Sequence, residues 1–233
     1  MVHTGGVDVY TETGARRVFA GAIEWPGWCR AAGSEDDALE ALIEYGPRYA
    51  EAVAGSRPRF KPPGSASDLQ VVERLDGDAG TDFGAPSVAP AADLRDVGRA
   101  DLTRLQAMLG SCWEAFDRAV EAAAGRRLAK GPRGGGRALR AIVAHVTGAE
   151  ASYVARLGIR SPKAGGSHPR ATTEVRAVMG DALARAVKDG QPERGPRGGA
   201  IWTPRYIVRR TAWHALDHAW EIEDRAGIGP RAR

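Results

Sequence analysis

The chain has 233 residues, of which 43% are hydrophobic and 27% charged, with a formal net charge of +4. This composition can fill globular cores and allows two domains of ordinary size; no run reaches the ~18 apolar residues of a membrane span, and the first residues lack an apolar leader. Cys29 and Cys112 are the only cysteines and lie far apart in sequence, which argues against a disulfide framework and for a cytoplasmic protein, while a mildly basic balance, pI near 9.3, does not by itself call for a nucleic-acid partner.

Residues 7–10 alternate as a short strand does, residues 11–14 read as a turn, and residues 17–23 as the hairpin partner. The bend Trp25-Pro26-Gly27-Trp28-Cys29 follows. Ser34 is placed to cap a helix whose first turn carries Asp36 and Asp37, and Ala38, Leu39, Leu42 and Ile43 give it an apolar side. Pro47 should kink or restart that helix. Residues 69–75 read as a further strand, so residues 1–80 are predicted as a small α+β domain of order β-β-α-β. Cys29 has no partnering His or Cys nearby in sequence, so a buried structural thiol is expected rather than a reactive one.

Residues 81–92, with two prolines and no period, read as a linker. From Asp93 the pattern becomes helical. Leu102, Leu105, Leu109, Cys112, Phe116 and Val120 form a first stripe, Leu139, Ile142, Val143, Val146, Tyr153 and Leu157 a second, and Val175, Val178, Met179, Ala182 and Ala186 a third. A fourth helix is expected from Pro204, a favoured first helical residue. The prediction for residues 93–233 is an all-α up-down four-helix bundle.

The chemistry is written in Trp213-His214-Ala215-Leu216-Asp217-His218. Two imidazoles four positions apart share one helix face and can serve one metal ion. Of the other histidines, His3 lies in a Gly-rich start and His168 in a Gly-Gly-Ser-His-Pro loop, whereas His145 sits on the shoulder of the second stripe at ~100° per residue. Counting from Arg137 and Pro204, His145 and His214 differ in depth by ~3 Å at 1.5 Å per residue, level if the second and fourth helices run parallel. Metal ligands His145, His214 and His218 are therefore predicted. Glu150 and Glu221, each about one turn beyond a ligand, are the candidate general acid or base; Asp217 could orient a ligand imidazole, but as the neighbour of His218 it is expected to point sideways. Two Gly-Pro-Arg loops, one before each of these helices, would place Arg133, Arg137 and Arg197 around one anion-attracting mouth if the helices are parallel.

With a lone inward His145 on the second helix, the His214/His218 pair on the fourth, and the adjoining His145-Val-Thr-Gly-Ala-Glu150-Ala-Ser-Tyr153, residues 93–227 resemble the DinB/YfiT-like superfamily of four-helix-bundle metalloproteins. The resemblance implies a divalent metal, commonly zinc or nickel, held by those three positions with an open coordination site; iron is a further candidate for the three histidines. It also implies S-transferase or isomerase chemistry on a low-molecular-weight thiol such as mycothiol or bacillithiol. The bend at Trp25-Pro26-Gly27-Trp28-Cys29, with Gly33-Ser34 and Asp37-Ala38-Leu39, is similar to the small HicB-like antitoxin fold, from which it departs by Trp28 before the cysteine. Two function classes follow. One is a metal-dependent enzyme acting on a small-molecule substrate by thiol transfer or hydrolysis, with a homodimer allowed. The other is a binding or regulatory module with a structural metal, its N-terminal domain contacting a protein or nucleic acid.

Overall fold

The computed structural model describes residues 6–131, 136–161 and 169–229. The chain is α+β, with a mixed four-stranded sheet in its N-terminal part and long helices after it. The strands are β1 (Val7–Thr13), β2 (Val18–Ala22), β3 (Cys29–Ala32) and β4 (Leu69–Asp76), in the order β3-β2-β1-β4. β1 pairs antiparallel with β2 and parallel with β4, and β2 pairs antiparallel with β3. The parallel pair needs a crossover, supplied by α1 (Glu35–Glu44) and α2 (Gly46–Ala52). The predicted β-β-α-β order lacked β3, because Cys-Arg-Ala-Ala shows no alternation and becomes a strand only through its ladder to β2.

Local signals place the crossover. Ser34 accepts from the Asp37 backbone at 3.2 Å and three acids fill the first turn of α1. Pro47 restarts the chain as α2. The bend before β3 is pinned from inside, where Trp28 donates to the Leu42 carbonyl at 2.8 Å and Tyr49 to that of Pro26 at 2.9 Å. Gly27 has φ 94°, and a Cβ there would lie 3.0 Å from Leu216 and 3.2 Å from Ala212. Gly27→Ala should cost about 1–3 kcal/mol, read as a lowered urea midpoint; an unchanged midpoint would show that the bend adapts.

Residues 81–92, expected as a linker, are laid firmly across the sheet. Asp78 caps the short α3 (Ala79–Phe83), and the buried Glu12 carboxylate accepts from the Thr81 hydroxyl at 2.5 Å and from the Ser87 and Val88 backbone at 2.9 and 3.2 Å. Asp93 lies in a 3-10 turn, Ala91–Leu94, ahead of the first long helix.

The long helices are α4 (Arg99–Ala122), α5 (Leu139–Ala155), α6 (Pro169–Asp189) and α7 (Pro204–Ala226). α4 and α7 run together: Arg205 meets Asp101 at their starts at 2.6 Å, and Phe116 and Ala119 share a core with Ala219 and Ile222 near their ends. α5 runs the other way. Arg225 near the end of α7 donates to the Arg137 carbonyl ahead of α5 at 2.8 Å, while Trp202 ahead of α7 donates to the Arg156 carbonyl after α5 at 2.9 Å. α6 follows α5, with Thr172 on Thr147 at 2.8 Å and Arg176 on Glu150 at 3.4 Å. The expected up-down alternation is thus corrected: the two histidine helices are antiparallel. Thirteen residues, 156–168, separate α5 from α6; at ~3.3 Å each they can return along the ~25 Å of α5, so connection length does not force α6 to oppose α5.

α7 is buried around most of its circumference, with the stripe Arg210, Asp217, Glu221 and Asp224 partly open. Trp213 meets Phe19 of the sheet at 6.0 Å, Ile207 and Leu216 join a core shared with Val9, Trp28 and Leu109, and Ala215 and Ala219 face Ile142 and Val146 of α5. Among the described residues no helix is long and apolar enough to cross a membrane.

Candidate metal centre

His145 is half-buried on α5, and His214 and His218 are 7% and 9% exposed on α7. Their ligating nitrogens all lie within 4.8 Å of one another, the His145 and His214 Nε2 atoms 3.2 Å apart. Ring centroids are separated by 5.0 Å from His145 to each partner and 4.7 Å between His214 and His218. An ion bound tetrahedrally at ~2.0–2.1 Å from each nitrogen sets nitrogens ~3.3–3.4 Å apart, so the closest pair already stands near that spacing. The antiparallel arrangement keeps the three level, because Arg137 aligns with Arg225 and Arg156 with Trp202, which brings position 145 opposite the middle of α7.

Burial, the neighbouring imidazoles and the Arg137 charge hold the His145 and His214 pKa values below the usual range, so both stay neutral, the form that binds metal. His218 is oriented through its far nitrogen. Glu221 Oε2 lies 2.7 Å from His218 Nδ1, and Glu221 Oε1 accepts from Arg225 at 2.5 Å. A proton held on Nδ1 leaves the Nε2 lone pair for the cluster. The hydrogen bond to His218 holds the Glu221 carboxyl below its ordinary range, with Arg225 adding to it against the opposing effect of burial. His214 lacks such support, since its buried Nδ1 has no hydrogen-bond partner among the described residues.

Glu221 therefore takes the orienting role, while Asp217 points sideways, as its place next to His218 leads one to expect, and pairs with Arg30 at 3.0 Å. The signal for Glu221 was present as His218-x-x-Glu221-x-x-x-Arg225, one face of one helix. Glu150 is corrected more strongly. Five positions from His145 amount to ~500°, or ~140° around the helix, and this turns its side chain toward α4 and α6. There it is 1% exposed, accepts from Trp113 Nε1 at 2.8 Å and pairs with Arg176 at 3.4 Å, and burial pushes its carboxyl up to about 7.

The anion mouth does not assemble as expected. Arg137 lies at the Arg225 end of α5, whereas Arg197 belongs to the segment beside Arg156 at the opposite end; antiparallel helices separate the two loops. Arg133, His3 and His168 lie outside the described residues. Cys29 and Cys112 are buried, and burial pushes each thiol up to about 12, as structural cysteines require. Tyr153, read from sequence only as core, sets its ring edge-on to His214 at 6.2 Å.

No protein-family model, curated protein or solved structure matches the chain.

Proposed function

We propose that residues 93–227 form a DinB-like four-helix metalloprotein in which His145, His214 and His218 hold a divalent ion, zinc or nickel first and iron as a further candidate, to activate a small thiol or water. The observation that carries this reading is the convergence of three imidazoles, two of them kept neutral, from two antiparallel helices. Three imidazole donors suit such an ion, which when bound supplies a Lewis acid able to hold a thiol or water deprotonated near neutral pH. The chain itself contributes orientation, with Glu221 and Arg225 fixing His218, and positive charge, with Arg137 close enough to depress the His145 and His214 pKa values. The reaction is a thiol S-transfer or a hydrolysis on a small molecule.

A second reading, a regulatory module with a structural metal and a HicB-like N-terminal domain docking a protein or nucleic acid, draws on one observation: both candidate carboxylates are already engaged, Glu150 with Trp113 and Arg176 and Glu221 with His218 and Arg225.

Elemental analysis beside thermal melts tests both. The native chain should carry near-stoichiometric metal, and a His214→Ala, His218→Ala variant should carry none while remaining folded. Metal that can be stripped without unfolding favours the enzyme, whereas a loss of several kcal/mol on stripping favours the structural role. A native chain that takes up no metal sinks both. Glu221→Gln should weaken metal binding by about 10–100-fold in a competition titration with a chelator, and an affinity equal to the native one would show that His218 needs no carboxylate partner.

A further inference from the structure

At the end of α5 remote from Arg137, a cavity of about 690 Å³ opens between the last turns of that helix and residues 195–202. Its volume lies within the ~300–1,000 Å³ range of small-molecule sites. Among the described residues Arg156, Arg160 and Arg197 line it and no acidic residue does. Arg156 donates to the Ala200 carbonyl at 3.1 Å and lies over the Trp202 ring at 5.3 Å; Arg160 and Arg197 make no ion pair among the described residues. A helix C-terminus attracts cations, which accounts for Arg156 and Arg160 but not for Arg197, which arrives from another segment.

The apolar wall is aromatic. Trp202 and Tyr153 stand 5.4 Å apart, and Tyr153 is the ring that meets His214. The facing wall is glycine-rich backbone: Gly195 and Gly199 bond at 2.8 Å, Gly198 turns with φ 73°, and a Cβ at Gly195 would meet the Ala155 carbonyl at 3.0 Å. The segment lies tight against the end of α5 and leaves the space open beside it.

We propose that this cavity binds a small organic anion, its carboxylate or phosphate held by Arg156, Arg160 and Arg197 and its flat apolar body against Trp202 and Tyr153. One side chain, Tyr153, then separates the occupant from the histidines. The role as substrate site rests on the metal reading, but the anion site itself does not.

The test is calorimetric titration of the full-length, chelator-treated protein with 2-naphthoate, naphthyl phosphate and the neutral 2-naphthamide. At least one anion should bind tenfold or more tightly than the amide, the two anions ranking carboxylate against phosphate. Arg156→Gln with Arg197→Gln should remove that preference, and the exposed Arg160→Gln alone should reduce it with an unchanged melt, while His145→Ala should leave it intact. Anions that bind no better than the amide, or a preference that survives in both arginine variants, overturn the proposal. Anion preference in a chain that takes up no metal overturns the metal reading alone, and metal uptake without anion preference overturns this one alone.

Discussion

Asp93→Ala should lower the unfolding free energy by about 3–5 kcal/mol, the cost of leaving a buried charge without its partner. Arg209 of α7 reaches Asp93 with two bonds, Nε at 2.6 Å and Nη2 at 2.8 Å, and donates to the carbonyls of Ala22 and Ile23 at 2.6 and 2.7 Å. Both side chains are almost fully buried, Asp93 at 1% and Arg209 at 6% exposure. One guanidinium thus ties the end of β2, the approach to α4 and the second turn of α7 together. Without the carboxylate it remains desolvated against two carbonyls that cannot neutralise it. A double change to matched apolar residues, Asp93→Leu with Arg209→Met, should recover much of the loss. Urea unfolding decides the matter: a cost under about 1 kcal/mol for Asp93→Ala would mean that water or another group reaches the guanidinium.

Glu150→Gln should flatten part of the pH dependence of stability. In the folded chain burial raises the Glu150 carboxyl from its ordinary 4.5 to about 7, despite the opposing charge of Arg176. The unfolded chain gives up this proton first as pH rises, so the stability Glu150 contributes is complete below about 4.5 and is lost by about 7. The shift corresponds to about 3 kcal/mol. The amide keeps an acceptor for Trp113 Nε1 and cannot ionise. Native and variant chains should therefore be similar near pH 4, and the variant should gain on the native chain up to pH 8. Unfolding measured across that range on metal-free protein cancels the common histidine contributions, and parallel curves for the two chains would refute the assignment.

The histidine site was legible because it depends on local geometry. An i, i+4 pair lies on one face in any helix, and an apolar stripe tells which face turns inward. Helix direction is different: periodicity defines a face but is blind to whether a neighbour runs up or down, and the 13 residues between α5 and α6 permit either. The arginine mouth was built on that direction and separated with it, while the histidines survived because position 145 lies near mid-helix and stays level under reversal. Glu150 was misplaced by its fifth-position offset, and β3 was invisible because four residues without alternation acquire strand geometry only from their partner. The hold on residues 81–92 was hidden for a similar reason, since it comes from Glu12, far away in sequence.

The packing of α7 against both the sheet and α5 has a kinetic consequence. The helix that carries His214 and His218 also underlies the sheet, through Trp213 on Phe19, and closes the core that Val9 and Trp28 enter. Opening the histidine cluster by unwinding α7 would strip β2 and the Gly27 bend of their support in the same event. Amide protons of β1, β2 and α7 should then exchange with deuterium together, by one global opening, and an ion that slows exchange at His218 should slow it equally at Val9.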